Sequence, residues 1–204
     1  MNNSIYGDKL EALKKTETEL SESISDIRKE MCARIGMDPV EHYLTRIKSE
    51  TSMREKCRRK GLPETQESAL GIIKDAVGAR IVCAFVDDVY AIKDQLKVSG
   101  KFQVVEEKDY ISHAKPNGYR SYHMILKTTD GIFAEIQLRT ISMDTWAALE
   151  HHLKYKKQVG DKNELIVNEL KRCADELAST DLSMQTIRDM IFENSKSLNE
   201  KRKQ

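Results

Sequence analysis

No run of about 18 consecutive apolar residues occurs in this chain, so no segment is built to cross a bilayer as a helix. The opening, MNNSIYGDKLEALKK, lacks the basic-then-apolar layout of a secretory leader, and the expected location is the cytoplasm. Cysteine is sparse and scattered. Cys32, Cys57, Cys83 and Cys173 make no CxxC pair and no Cys/His ligand spacing, which argues against zinc and gives no disulfide framework. His42, His113, His123, His151 and His152 fit no metal-ligand pattern either, and His151 and His152 read as structural. There is no GxxxxGKS or GxxxxGKT and no GxGxxG, which sets aside P-loop enzymes and protein kinases. A large excess of one charge is also missing: the net charge is +1 and the pI about 7.7, giving little support for an RNA footprint.

What is present is a chain of 204 residues, 39% hydrophobic and 33% charged, long enough to bury a core. From Asp8 to about Arg34 apolar residues fall at Leu10, Leu13, Leu20, Ile24, Ile27 and Met31, an amphipathic helix in which Glu17 takes the skipped position. A second such helix is expected from about Asn163 to Asn194, with a seam at Ile166, Leu170, Cys173, Leu177, Met184, Ile187 and Ile191 and with Thr180 in the gap. Each seam can pack on the chain's own core or build an oligomer interface. Between these helices the texture is that of strands: ARIVCAFV (79–86), FQVVEE, RSYHMILK and IFAEIQLR, the last two joined by the hairpin signal TTDG. Asp87 and Asp88 are N-cap candidates for a helix through Val98, GLPETQESA (61–69) reads as a loop, and SMDTWAALEHHLKY (142–155) returns to helix, with Trp146, Leu149, His152 and Leu153 at core-like spacing. The expectation is one α+β domain over 1–204: helical 1–60, a mixed-sheet core 70–140, C-terminal helices 141–197 and a frayed tail 198–204.

Chemistry concentrates in three places. The run RIKSETSMREKCRRK (46–60) holds seven Lys or Arg against two Glu, and in a helix Ser52, Lys56 and Arg59 share one face, an arrangement suited to polyphosphate. Such a run can also be a solvated charged face. Asp75, in DAVGAR, stands at the mouth of the apolar strand, placed either as a turn residue or as an oxygen donor for Mg²⁺. In FAEIQLRT, Glu135 and Gln137 alternate away from the apolar positions Ala134, Ile136 and Leu138 and so look into an open face. Tyr119, Ser121 and His123 alternate likewise in NGYRSYHMIL, a polar yet aromatic face that offers a stacking surface. Two carboxylates for a hard cation, cations for phosphates and a ring for a base together describe a site for nucleotide chemistry.

In order along the chain, YGDKL, RIKSETSMREKCRRKG, DAVGARIVCAFVDDVY, VVEEKDYISHAKPNGYRSYH, EIQLRT and WAALEHHLKYK resemble the RelA/SpoT-type alarmone synthetase family, closest to its single-domain small synthetases. The resemblance implies a nucleotidyltransferase-like α+β fold around a mixed sheet, flanked by N- and C-terminal helices. It implies transfer of the β,γ-diphosphate of ATP to the ribose 3′-hydroxyl of GDP or GTP, with Mg²⁺ as cofactor and ppGpp or pppGpp plus AMP as products. By motif match, Arg46 and Arg80 sandwich adenine, and Lys48, Ser52, Lys56 and Arg59 hold the ATP phosphates. Asp75 and Glu135 bind Mg²⁺, with Glu135 also taking the hydroxyl proton. Tyr119 stacks on guanine, and Lys115, His123 and Gln137 complete that pocket.

Some positions depart from the family pattern. Lys108 stands where the family has Arg, keeping the charge but losing the planar fork. His42, Thr45 and Asp144 depart from the subgroup that binds product in the central cleft of a tetramer; assembly through the terminal helices, as a homotetramer, is still expected. With no hydrolase segment before the matching region, synthesis without hydrolysis is expected. Two other functions compete: a relative that places the diphosphate on the 3′ end of tRNA, and an inactive guanine-nucleotide sensor, against which the presence of both Asp75 and Glu135 speaks.

Overall fold

The computed structural model describes residues 4–155 and 163–201. After a 3₁₀ turn at Gly7–Lys9 come α1 (Leu10–Ile35), β1 (Val40–Ile47), α2 (Glu50–Arg59), a π-helical turn (Ser68–Ile72), β2 (Val77–Cys83), α3 (Val86–Val98), β3 (Gln103–Asp109), β4 (Tyr122–Lys127), β5 (Phe133–Thr140), α4 (Ile141–Tyr155) and α5 (Asn163–Lys201). The strands form one mixed sheet in the order β1-β2-β5-β4-β3, with β2 and β5 parallel and the other neighbours antiparallel. The α+β class, the β4–β5 hairpin at TTDG and the single strand-helix-strand crossover through α3 all follow the sequence reading.

The apolar periodicities explain which face is covered. On α1, Leu13, Leu20, Ile24, Ile27 and Met31 are buried, and Thr16 rather than Glu17 fills the gap in the seam. This helix ends at Gly36, whose φ of 78° permits the left-handed turn that returns its N–H to the Cys32 carbonyl. Together α1 and α3 pack on the sheet face built from Val77, Ala79, Ile81, Ala134, Ile136, Leu138, Met124 and Leu126, all buried. The opposite face is free over most of its width, with α4 and α5 lying over one end of it.

Several expectations need correction. Residues 1–60 are not all helical, because Val40–Ile47 is an edge strand; its alternating exposed residues were outvoted by the surrounding charge run. The sheet therefore begins at residue 40, not 70, while the GLPETQESA loop gives way to a π-helical turn at Ser68. Helix α3 starts at Val86 behind an uncapped Phe85, so Asp87 and Asp88 sit in its first turn, where they face the helix dipole rather than capping it. In α4 only Trp146 of the four core-spaced residues is buried; Leu149, His152 and Leu153 are exposed, as is His151. In α5 the buried line passes through Ala174 and Asp181, leaving Met184, Ile187 and Ile191 outside, and the helix continues to Lys201; the remaining tail residues 202–204 lie outside the described residues.

Helix α5 is seated against the loop before β4. The indole Nε1–H of Trp146 donates to the Leu170 carbonyl at 2.9 Å, Thr140 Oγ1–H donates to Asp181, and Arg120 Nη2 donates to Asp175 at 2.9 Å. Gly118, at φ +90°, permits this approach: a Cβ there would stand 2.6 Å from the Ala174 Cβ and 2.9 Å from the Lys171 Cα. Gly118→Ala is expected to destabilise the protein by about 2 kcal/mol or more through overpacking and left-handed strain. Chemical denaturation reads this out, and Ala174→Gly in the same chain should recover only part of the loss, because the Lys171 backbone remains. An unchanged midpoint would show that α5 does not sit on this loop.

Candidate active site

The register across the sheet carries two polar rows over the open face. Arg46, Gly78, Glu135, Ile125 and Glu106 lie side by side in one; Leu44, Arg80, Gln137, His123 and Lys108 form the next. Two clefts open between these rows. One, of about 270 Å³, is lined by Leu44, Arg46, Gly78, Ala79, Arg80, Glu135 and Gln137. The other, of about 250 Å³, is lined by Glu106, Lys108, Tyr110, Lys115, His123, Ile125 and Glu135. Glu135 is the residue common to both.

Beside the first cleft stands the basic helix. Ser49 caps α2 by accepting the Ser52 N–H, which sets the helix running with Ser52, Lys56 and Arg59 on one face. Arg46 and Lys48 precede that helix, on β1 and the following connection. Lys48 Nζ lies 3.0 Å and Lys56 Nζ 2.5 Å from Asp75 Oδ2, so two ammonium groups share one carboxylate oxygen. The other oxygen, Asp75 Oδ1, is buried and has no hydrogen-bond partner among the described residues. Tyr6 tightens this corner from below, its hydroxyl donating to the Lys48 carbonyl at 2.6 Å. Arg59 is exposed, and Arg80 and Arg46 project from adjacent strands over the cleft.

The second cleft is aromatic and cationic. Lys115 Nζ stands 4.5 Å from the Tyr110 ring centre and 4.7 Å from that of Tyr119, so a base stacking on the Lys115 side of Tyr119 displaces this exposed side chain. His123 is packed edge-on to Tyr110 and Tyr119. Lys108 pairs with Glu106 at 2.7 Å, which holds the ammonium above its usual pKa.

Glu135 joins the two halves. Its Oε1 lies 3.5 Å from His123 Nδ1, and its Oε2 accepts from Gln137 Nε2 at 3.2 Å. Burial acts to raise its pKa, but the facing His123 imidazole, the Gln137 amide and the Lys56 ammonium outweigh it and hold the carboxyl below 4.5.

Sequence reasoning stopped at Gln137 and missed the next residue on that face of β5, Arg139, which is only 4% exposed. Its guanidinium donates to Asp144 Oδ1, the Tyr119 hydroxyl and Gln137 Oε1 at 2.9, 2.7 and 2.9 Å. Period-two alternation carried one step further would have reached it. Asp144, in the first turn of α4, also lies 3.4 Å from Arg80 Nη1, tying the two clefts together from behind.

With this geometry in view, the comparisons are decisive. The family described as a region found in RelA / SpoT proteins matches residues 45–160, which hold every residue of both clefts except Leu44. The chain belongs to the RelA/SpoT family. GTP pyrophosphokinase YwaC of Bacillus subtilis is 40% identical over 147 residues, 69% of this chain and 70% of that protein. The small alarmone synthetase 1 of Bacillus subtilis bound to its product pppGpp superposes with a TM-score of 0.75 at 33% identity, over 88% of this chain and 94% of that one. Bound to AMPCPP, that synthetase gives a TM-score of 0.67 at 29% identity, over 89% and 94%.

Removing the shared carboxylate tests the donor corner. Asp75→Asn is expected to lower stability by roughly 1–3 kcal/mol, because two half-buried ammonium groups lose a charged acceptor. Urea unfolding measures it; an equal or greater stability would mean that the Lys48–Asp75–Lys56 cluster is strained in the ligand-free protein.

Proposed function

We infer that this chain is a small alarmone synthetase, transferring the β,γ-diphosphate of ATP to the ribose 3′-hydroxyl of GDP or GTP to give ppGpp or pppGpp and AMP. The observation that carries the reading is Glu135 lining both clefts, which puts one ionised carboxylate between a donor and an acceptor. In this reading ATP occupies the cleft of Arg46 and Arg80, its adenine between the two guanidinium groups and its phosphates against Lys48, Ser52, Lys56 and Arg59. The acceptor occupies the other cleft, among Lys108, Lys115 and His123, with its guanine on Tyr119, which Lys115 and His123 both contact, and with Gln137 of the first cleft reaching it beside Glu135. Glu135 takes the proton of the 3′-hydroxyl as that oxygen bonds to the β-phosphorus and the bond to the α-phosphate oxygen breaks, releasing AMP. Positioning and charge neutralisation supply most of what such a transfer requires.

Mg²⁺ fits the donor set. Asp75 offers a buried oxygen with no other partner, Glu135 a second carboxylate, and both are hard oxygen donors. No group of three or more His, Cys, Asp or Glu that could hold a metal occurs among the described residues, consistent with a cation completed by substrate phosphates and water. Bound there, Mg²⁺ would neutralise phosphate charge. Lys48 and Lys56, which hold Asp75 in the meantime, would then be released toward those phosphates.

Assembly as a homotetramer belongs to the same reading. The outer side of α5 exposes Leu182, Met184, Ile187, Met190 and Ile191, an apolar surface that a second copy can cover. No helix among the described residues is long and apolar enough to cross a membrane.

The deciding experiment supplies purified protein with Mg²⁺ and γ-labelled ATP, together with GMP, GDP, GTP or bulk tRNA in separate reactions. Label on a guanine nucleotide is expected; label on tRNA alone, or no transfer, overturns the reading. Glu135→Gln should abolish synthesis while ATP binding persists in part, and Tyr119→Ala should weaken acceptor binding by about 1–3 kcal/mol. The pH dependence has a definite sign. Because the folded carboxyl lies below its ordinary 4.5, Glu135 stays ionised on acidification until pH falls through that depressed value. An acid limb set by Glu135 should therefore be centred below 4.5, and one centred above it removes Glu135 as the group that sets it.

A further inference from the structure

Hydrogen atoms around Glu135 are fixed by a residue that does not touch it. An arginine guanidinium donates and never accepts, so the direction of each hydrogen bond leaving Arg139 is known without seeing a proton. Arg139 Nη2 lies 2.7 Å from the Tyr119 hydroxyl oxygen, which must therefore accept. The hydroxyl keeps one proton, and His123 Nε2 at 2.8 Å is the acceptor it meets among the described residues; donation there satisfies that proton, whereas accepting an Nε2–H would leave it without a partner. An imidazole nitrogen that accepts carries no proton, so the proton of neutral His123 resides on Nδ1. That is the nitrogen facing Glu135 Oε1, at 3.5 Å.

A second path runs in parallel. Arg139 Nη2 also lies 2.9 Å from Gln137 Oε1, which identifies that atom as the amide oxygen, since a guanidinium would repel the NH₂ group. The Gln137 amide nitrogen is thereby turned to Glu135 Oε2 at 3.2 Å. Each carboxylate oxygen of Glu135 thus faces one N–H donor, and both donors are oriented from the same guanidinium. Arg139 is itself held: Nη1 donates to Asp144 at 2.9 Å, Nε to Ser121 Oγ at 3.4 Å, and its side chain is 5% exposed. A buried charge with this many fixed partners has one orientation available.

We propose that Arg139 is a positioning residue that fixes the hydrogen-bond polarity around Glu135, through Tyr119 by setting the Nδ1–H tautomer of His123 and directly by setting the orientation of the Gln137 amide. Tyr119 then has two separable roles, its ring for the acceptor and its hydroxyl for relaying this polarity. The proposal rests on Glu135 being the proton acceptor of the reaction, but its structural half does not depend on turnover.

The test reads the histidine directly. Long-range ¹H–¹⁵N spectra of the ligand-free protein at neutral pH, with the His123 signals assigned by their loss in His123→Gln, should show the Nδ1–H tautomer. In Tyr119→Phe the relay to His123 is cut while the Gln137 path remains, and the single-tautomer signature should give way to a mixture. Arg139→Lys keeps the positive charge but loses the fork, so it should change the spectrum as Arg139→Met does. Both should lower kcat by about tenfold or more, as losses of orienting partners do, with a much smaller change in the KM for ATP. An Nε2–H tautomer or an imidazolium in the unsubstituted protein overturns the proposal, as does a His123 spectrum unmoved by Tyr119→Phe; both results are available even where the Arg139 variants fail to fold. Should the tautomer be as stated while no alarmone is formed, the polarity of the network stands and the reading of the whole chain as a synthetase falls.

Discussion

Because β2 and β5 pair in parallel with Gly78 beside Glu135 and Arg80 beside Gln137, the centre of the site takes its layout from that one register. A slip of a single residue would turn Glu135 and Gln137 into the layer under α1 and α3 and bring Ile136 and Leu138 to the water. The apolar residues that forbid the slip are thus the ones that aim the polar residues outward. Stability and chemistry here have the same origin, the two-residue period of a strand buried on one side. Gly78 contributes by having no side chain, leaving the space between Arg46 and Glu135 open.

The two halves of the site hold their charges differently. On the donor side, Lys48 and Lys56 converge on one oxygen of Asp75, an arrangement in which phosphates and a cation can exchange partners with the protein without leaving a charge bare. On the acceptor side, Lys108 is paired with Glu106 and Lys115 lies against the Tyr110 and Tyr119 rings, while direction rather than charge is what the network around Arg139 supplies. Asp144 touches both, receiving Arg139 at 2.9 Å and Arg80 at 3.4 Å. The carboxylate at this position is accounted for by two arginines of the same chain.

Much of this was legible in the sequence because its signals were periodic. The alternation in FAEIQLRT placed Glu135 and Gln137 on an open face, and the seam of α1 identified its buried side to within Thr16; of Tyr119, Ser121 and His123, read as one strand face, only His123 lies in β4, and Ser121 is buried. What was not legible depended on competition between patterns. Arg46 and Lys48 lie in a stretch whose charge density imitates a helix, while the strand of residues 40–47 is an edge with only one buried end, too weak a pattern to stand out. In α4 and α5 the heptad-like spacing correctly announced apolar stripes but not their direction, since Leu149, Met184 and Ile187 face outward while Ala174 and Asp181 face in. Arg139 was overlooked for a different reason: a charged residue at the end of a strand reads as a surface residue unless the helix that covers it is known.

The seating of α5 on Gly118 has a mechanical consequence. A helix of 39 residues is a stiff rod about 58 Å long. It bears on the turn at Gly118 and Arg120 near its first third, through Leu170, Lys171, Ala174 and Asp175, and farther along Gln185 accepts the Asp87 N–H while Arg188 pairs with Asp87 and Asp88 at the start of α3. A rod held at two places cannot tilt about either one alone, so the turn that precedes β4 shares its brace with the first turn of α3.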